Sequence, residues 1–368
     1  MTTNRVHFPF PSIIEQTTQK PATIALALQG GGSAGILEKA VLEALLPHLE
    51  QRDDLSLSSV TGTSAGAVNA ALLTSGMNHS GSAEALRRLN NFWNEIKQAG
   101  AVIGLSDRFN RAAWGAVDFW LGTAPRSKGD LHWATETCID LSTRGMPGGM
   151  LPKWIAERLS HHIPDMNNLQ SGSIKAFANA VIRKPNGTEQ HVVYGGKQLT
   201  PQSVAASTAL KATGGYILNG QLHEDGGYWR NPSLQEALAD QPQDLIVIAL
   251  APPPPTLYPS TQDSWRAKGL LKHGIVGDEL YHELAKLQLE QPKLRIHVIH
   301  PDENFIISAK SKMNTDPAWL NRLEREGNRI GMAWLAKHAD KLGSSSSFKD
   351  TINARLYQPQ MQAAYNAA

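Results

Sequence analysis

Three short clusters hold the side chains whose types and spacing could do chemistry. The first is Gly62-Thr63-Ser64-Ala65-Gly66, a serine with a glycine two positions away on either side. Such glycines permit a turn sharp enough to lift the serine oxygen clear of the backbone, and between a strand and a helix that turn is a nucleophile elbow. A serine hydroxyl is a weak nucleophile until a base takes its proton, so the elbow needs a partner elsewhere in the chain. The second cluster is Gly30-Gly31-Gly32-Ser33-Ala34-Gly35. Read as Gly30-x-Gly32-x-x-Gly35, it matches a dinucleotide-binding fingerprint, with Asp53 or Asp54 near the distance of a ribose-binding acid. Those aspartates precede the second expected strand instead of ending it. The same amides could hold the negative oxygen of a tetrahedral acyl intermediate, a reading preferred here because two consecutive parallel strands then deliver loop and serine to one sheet edge. A purely structural glycine turn is the third reading. The last cluster, Asp225-Gly226-Gly227, is by itself the sequence of an ordinary turn.

Positioning these clusters requires a particular order of elements. Residues 23–28 are a continuous apolar run that stops at the glycines, as a buried parallel strand would. Residues 36–49 then turn helix-periodic, 55–60 read as a second strand, and 67–74 as a small-residue helix. Two βα units in succession predict an α/β fold. Further along, the pattern predicts a helix over 83–98, strands over 174–182 and 190–193 around Asn186-Gly187, and a helix over 203–212. Strands over 245–250 and 294–299 and a helix over 319–338 complete the expectation. Residues 100–130 are irregular, with Trp114, Val117, Phe119, Trp120 and Leu121 between glycines and prolines. They are a candidate lid or membrane-facing cap, against the preferred reading that these aromatics pack in the core. The serines at 344–347 read as a flexible link. The chain thus divides into an N-terminal arm (1–21), one domain (22–343) and a link with a C-terminal tail (344–368).

Composition narrows the function further. The 368 residues carry 35 Lys and Arg against 33 Asp and Glu, a formal charge of +2 that is too balanced for nucleic-acid binding. Cys138 is the single cysteine, so no intrachain disulfide forms, and no CxxC or HExxH spacing marks a metal site. The first 20 residues lack the apolar core of a secretory signal, and no stretch approaches the ~20 apolar residues of a membrane span. The expectation is a cytoplasmic protein or one peripheral to a membrane, with leaderless export left open.

In that order, the glycine-rich loop, the GxSxG serine and the DGG aspartate resemble the patatin-like phospholipases. The resemblance extends to Ser203-Val204-Ala205-Ala206-Ser207, to Tyr228 and Asn231-Pro232, and to Ser311-Lys312-Met313-Asn314 with the helix that ends at His338. It covers about residues 22–350. It implies a three-layer α/β/α fold with a central, mostly parallel sheet, and a Ser-Asp dyad without histidine. Carried over, Ser64 is the nucleophile, Asp225 the base, and the Gly31, Gly32 and Ser33 amides the oxyanion hole, with Gly62 and Gly66 shaping the elbow. It implies a lipid or other acyl-ester substrate, peripheral membrane contact, no cofactor and no metal; no protein activator is named by the sequence. Two positions depart from the family. Ala34 stands where Arg, Lys, His or Tyr is common, and Lys211 where many bacterial members have proline, which bears on the wall or mouth of the cleft.

Other readings compete. A Ser-His-Asp esterase would use His297 or His300, late histidines at a strand. A non-catalytic lipid-binding module on the same fold would lean on Ala34 and Lys211. His223, two residues before Asp225, is a candidate for tuning the base, whereas His161 and His162 read as surface or structural residues.

Overall fold

A computed structural model describes residues 20–103, 149–253, 277–302, 305, 307 and 309–348. Residues 1–19 of the expected arm, the aromatic stretch from Trp114 to Leu121 and Cys138 lie outside them. The first strand, β1 (Ala22–Leu28), runs through the glycine loop into α1 (Gly35–Glu50). Next, β2 (Leu55–Gly62) runs through the serine turn into α2 (Ala65–Ser80), followed by α3 (Ser82–Ile103). Thus the helix expected over 83–98 continues through Gly100, where an irregular stretch was anticipated. After α4 (Met150–His162) and α5 (Met166–Gln170) come β3 (Lys175–Arg183) and β4 (Glu189–Gly195), hinged at the anticipated Asn186-Gly187 turn.

The short α6 (Pro201–Ala206) is capped by Thr200, whose side chain accepts from the Ser203 amide. It ends six residues before the periodicity predicts. The chain peels away there because its carbonyls are needed elsewhere: Ala209 and Ser207 accept the Asp225 and Gly226 amides, at 2.7 and 3.3 Å. Two small strands, β5 (Tyr216–Leu218) and β6 (Gln221–Asp225), were not foreseen and carry the aspartate. The remaining elements are β7 (Asp244–Ile248), α7 (Gly277–Glu290), β8 (Arg295–Ile299), α8 (Ala309–Lys312) and α9 (Pro317–His338).

The sheet order is β5-β6-β3-β2-β1-β7-β8, with β4 paired to β3. From β3 to β8 the pairs are parallel; β4, β5 and β6 add antiparallel ones. Alternation along β1 explains the layers. Ile24, Leu26 and Leu28 pack with α1, α2, α3 and α9 on one face, while Ala25 and Ala27 pack with Leu280, Tyr281 and Leu284 of α7 on the other. This is a three-layer α/β/α sandwich with both faces of the parallel sheet buried. Among the described residues no helix is long and apolar enough to cross a membrane.

The serine run departs from expectation. Ser346 and Ser347 dock on β8: the Ser346 hydroxyl donates to the Ile296 carbonyl at 2.7 Å, and the Ser347 amide donates to the same carbonyl at 3.1 Å. Ser347 and His297 are both fully buried, and their side chains bond at 3.1 Å. His297 also bonds Asp244 at 3.0 Å, and Arg295 donates two bonds to the same carboxylate at 2.6 and 3.0 Å. Burial pushes the Asp244 carboxyl up, but the bonds from His297 and Arg295 outweigh it and hold the group below the usual carboxylate range. Its contribution to stability is therefore present above the unfolded value of about 3.9 and fades as the pH falls through the lower folded value. Asp244→Ala leaves Arg295 and His297 without their acceptor, and is expected to cost about 3–5 kcal/mol by denaturant unfolding. An unchanged midpoint would refute that role.

Candidate active site

Ser64 sits at the junction of β2 and α2 with φ 54° and ψ −122°, a backbone conformation that side chains rarely adopt. Two close approaches enforce it. A Cβ on Gly62 would lie 2.2 Å from the Gly66 carbonyl oxygen, and one on Gly66 would lie 2.3 Å from that of Leu28. The spacing of GxSxG is thus the spacing at which the turn folds back on its strand. The Ser64 amide donates to the Ser207 hydroxyl at 2.9 Å, and Ser64 caps α2, so the positive end of that helix points at the elbow.

Asp225 ends β6, which pairs antiparallel to β3 with Asp225 opposite Ala180. It is buried, and it shares one cavity with Ser64, whose hydroxyl is among the groups that draw its carboxyl down. The Gly227 amide donates a bond to the carboxylate at 2.7 Å. Burial pushes the carboxyl up to about 6, against the downward pull of the Gly227 amide, the Ser64 hydroxyl and the Lys312 ammonium. Asn179, on β3, ties the two motifs together. Its amide group donates to the Gly226 and Arg230 carbonyls at 3.1 and 2.8 Å, while its oxygen accepts the Thr63 hydroxyl.

The glycine loop faces the same sheet edge. Asn231 clamps Gly30, accepting its amide at 2.5 Å and donating to its carbonyl at 3.0 Å. Gly32 has φ +57°, and a Cβ there would lie 2.3 Å from the Lys312 carbonyl oxygen, so only glycine fits between loop and α8. The Ser33 hydroxyl donates to the Ser311 carbonyl at 3.1 Å. Among the described residues, no acceptor is seen for the Gly31, Gly32 and Ser33 amides, and all three residues line the cavity beside Ser64. Beneath the loop, the Asn69 amide group donates to the Gly35 carbonyl and to Glu38 at 2.8 and 3.0 Å, which ties α1 to α2. Burial holds the Glu38 carboxyl well above its usual range, against the downward pull of the bond from Asn69.

Loop, serine and aspartate open on one cavity of about 210 Å³. Its walls are largely apolar, with Val68, Phe92, Trp93, Ile96 and Ile155 among them. That surface suits a hydrocarbon chain beside a polar reaction centre. Among the described residues, Asp225 and Lys312 are the only charged side chains that line it.

The other candidates fall away from this site. Asp53 and Asp54 lie at the opposite end of the sheet, where the Asp54 carbonyl accepts the Ala22 amide that opens β1, so they cannot serve a ligand on the glycine loop. His297 belongs to the buried Asp244 cluster, and the His300 ring nitrogen bonds the Pro301 carbonyl at 2.9 Å; neither lines the cavity. A Ser-His-Asp arrangement through them is therefore overturned. His223 bonds Tyr194 at 2.6 Å and the Gln221 carbonyl at 3.0 Å, and is not among the groups that shift Asp225. His162 bonds Glu95 at 3.1 Å in a structural contact. Ala34 is fully buried in the core. Lys211 is exposed and does not line the cavity, although its amide donates to the Tyr228 hydroxyl at 3.2 Å and Tyr228 does line it. Among the described residues no cluster of His, Cys, Asp and Glu forms a metal-ligand set.

The family description patatin-like phospholipase matches residues 26–257, which include the loop, the elbow and the aspartate. The chain belongs to the patatin-like phospholipase family. No curated protein matches it significantly. Among solved structures it is similar to VipD from Legionella pneumophila, at 12% identity and TM-score 0.35, over 86% of this chain and 67% of that one. It is also similar to the type III effector ExoU, at 15% identity and TM-score 0.28, over 83% and 54%. The ExoU-SpcU complex from the type III secretion system of Pseudomonas aeruginosa matches at 15% identity and TM-score 0.30, over 95% and 60%. The chain therefore spans little more than half the length of the ExoU chains. Beyond the motifs, this member of the patatin-like family adds Asn179, Asn231, Ser207 and Lys312 around its site. Ser207, Asn231 and Lys312 belong to the stretches that carry the sequence resemblance, whereas nothing in the sequence marks Asn179 or the convergence of the four.

Proposed function

We propose that this chain is a serine lipid acyl hydrolase that cleaves carboxylic esters through an acyl-enzyme. The observation that carries the reading is the convergence of Ser64, on its strained elbow, the buried Asp225 carboxylate and the glycine loop on one largely apolar cavity. In this mechanism Asp225 takes the hydroxyl proton as the Ser64 oxygen attacks the ester carbonyl. The resulting oxyanion is held by the Gly31, Gly32 and Ser33 amides, with help from the positive end of α2. Collapse breaks the bond to the leaving alcohol, to which Asp225 returns the proton. Asp225 then activates water, whose attack releases the fatty acid and restores Ser64. No metal or cofactor is needed in this scheme, and residues 22–343 form the catalytic unit. The substrate is a lipid ester whose acyl chain lies along the apolar wall, met by peripheral contact with its membrane or aggregate.

The test is a fluorophosphonate ester, which phosphonylates activated serines. Intact mass should show a single adduct, and peptide mapping should place it on Ser64. A folded chain that stays unlabelled, or that labels elsewhere, would sink the reading.

A further inference from the structure

We propose that Lys312 is a specificity-determining residue that reads a negative charge on the leaving alcohol of the ester, a phosphate or carboxylate a few bonds from the scissile oxygen. This rests on the acyl hydrolase reading above. Lys312 lies at the end of α8, which is latched to the glycine loop at two points: its own carbonyl fills the space that only Gly32 leaves free, and the Ser311 carbonyl accepts the Ser33 hydroxyl. Its side chain is therefore held at the loop and lines the cavity.

Among the described residues Lys312 forms no ion pair, although Asp225 attracts it from across the cavity. Burial in these apolar surroundings draws the ammonium down to about 8, so it is charged at neutral pH yet poorly solvated. A cation in that condition gains most from an anion brought into the cavity, because the surroundings screen the attraction less than water would.

The position of Asp225 says which part of the substrate meets it. Asp225 must reach the oxygen of the leaving alcohol to protonate it, so that alcohol lies on the Asp225 side of the scissile bond. Lys312 is the charged neighbour of Asp225 in the cavity, whereas the apolar wall offers nothing to a charged group. The acyl side is thus read by hydrocarbon contact and the alcohol side by charge.

The test compares two esters of the same short acyl chain, a monoacylglycerol and its glycerol phosphate counterpart, on the wild-type chain and on Lys312→Met and Lys312→Arg. The wild type is expected to favour the phosphate-bearing ester in kcat/KM by about ten-fold or more, the range of a charge-assisted bond. Lys312→Met should bring that ratio close to one, whatever the absolute rates, and Lys312→Arg should retain it. A wild type with no preference, or a Lys312→Met chain that slows equally on both esters, would overturn the proposal; the latter would place Lys312 behind Asp225 instead. Inorganic phosphate is the other arm. Competitive inhibition at concentrations near the KM of the charged ester would make this a free-anion site and would also overturn it. Hydrolysis of both esters without preference leaves the acyl hydrolase reading standing, whereas a chain inert to both removes the two together.

Discussion

Ser64→Ala is expected to abolish ester hydrolysis, with kcat/KM lower by about 10⁴-fold or more, and to remove the fluorophosphonate adduct. The variant keeps the Cβ and therefore the steric demands of the elbow, where Gly62 and Gly66 set the turn and the Ser207 hydroxyl accepts the amide of residue 64. Thermal unfolding close to that of the parent would show that the loss is chemical. Residual hydrolysis above a few per cent of the parent rate would place the nucleophile elsewhere.

The second large effect is at Asp225. An asparagine there can accept a hydrogen bond from Ser64 but cannot take its proton, so Asp225→Asn should lower kcat by about 10²–10⁴-fold. In the parent chain the base must be ionised, so kcat/KM should rise through a pKa of about 6 and fall about ten-fold per pH unit below it. Stability should move the other way. An unfolded aspartate titrates near 3.9, whereas folded Asp225 titrates at about 6. Between those values the native state holds the extra proton, so stability falls as the pH rises through the window, and the penalty persists above it. Asparagine buries no charge, and Asp225→Asn is expected to stabilise the chain near neutral pH by about 1–3 kcal/mol, the difference vanishing below about pH 4. A variant equally active, or less stable than its parent, would contradict the assignment of Asp225 as a buried base.

The site is as legible in the sequence as it is local. GxSxG was readable because its two glycines answer contacts made within the turn itself and with the neighbouring strand. Asp225 was different, since β5 and β6 are short and carry no strong alternation, and the aspartate stood out only through its family resemblance. Asn231 and Gly30 are 201 positions apart, and no periodicity links them. Serine-rich composition pointed to a flexible link at 344–347, but Ser346 and Ser347 spend their hydroxyl and amide groups on β8 and His297. Small polar side chains serve a link and a dock equally well, and only the neighbour decides.

By itself the sequence determined the βα units, the α/β class and the two glycine turns, because hydrophobic period and turn chemistry act over a few residues. Only the tertiary structure decided that β6 pairs with β3 to bring Asp225 to Ser64, that His297 serves Asp244 instead of a nucleophile, and that α8 carries Lys312 to the glycine loop. Those outcomes depend on strand order and on which buried polar groups find partners, and both are settled by packing across the whole sheet.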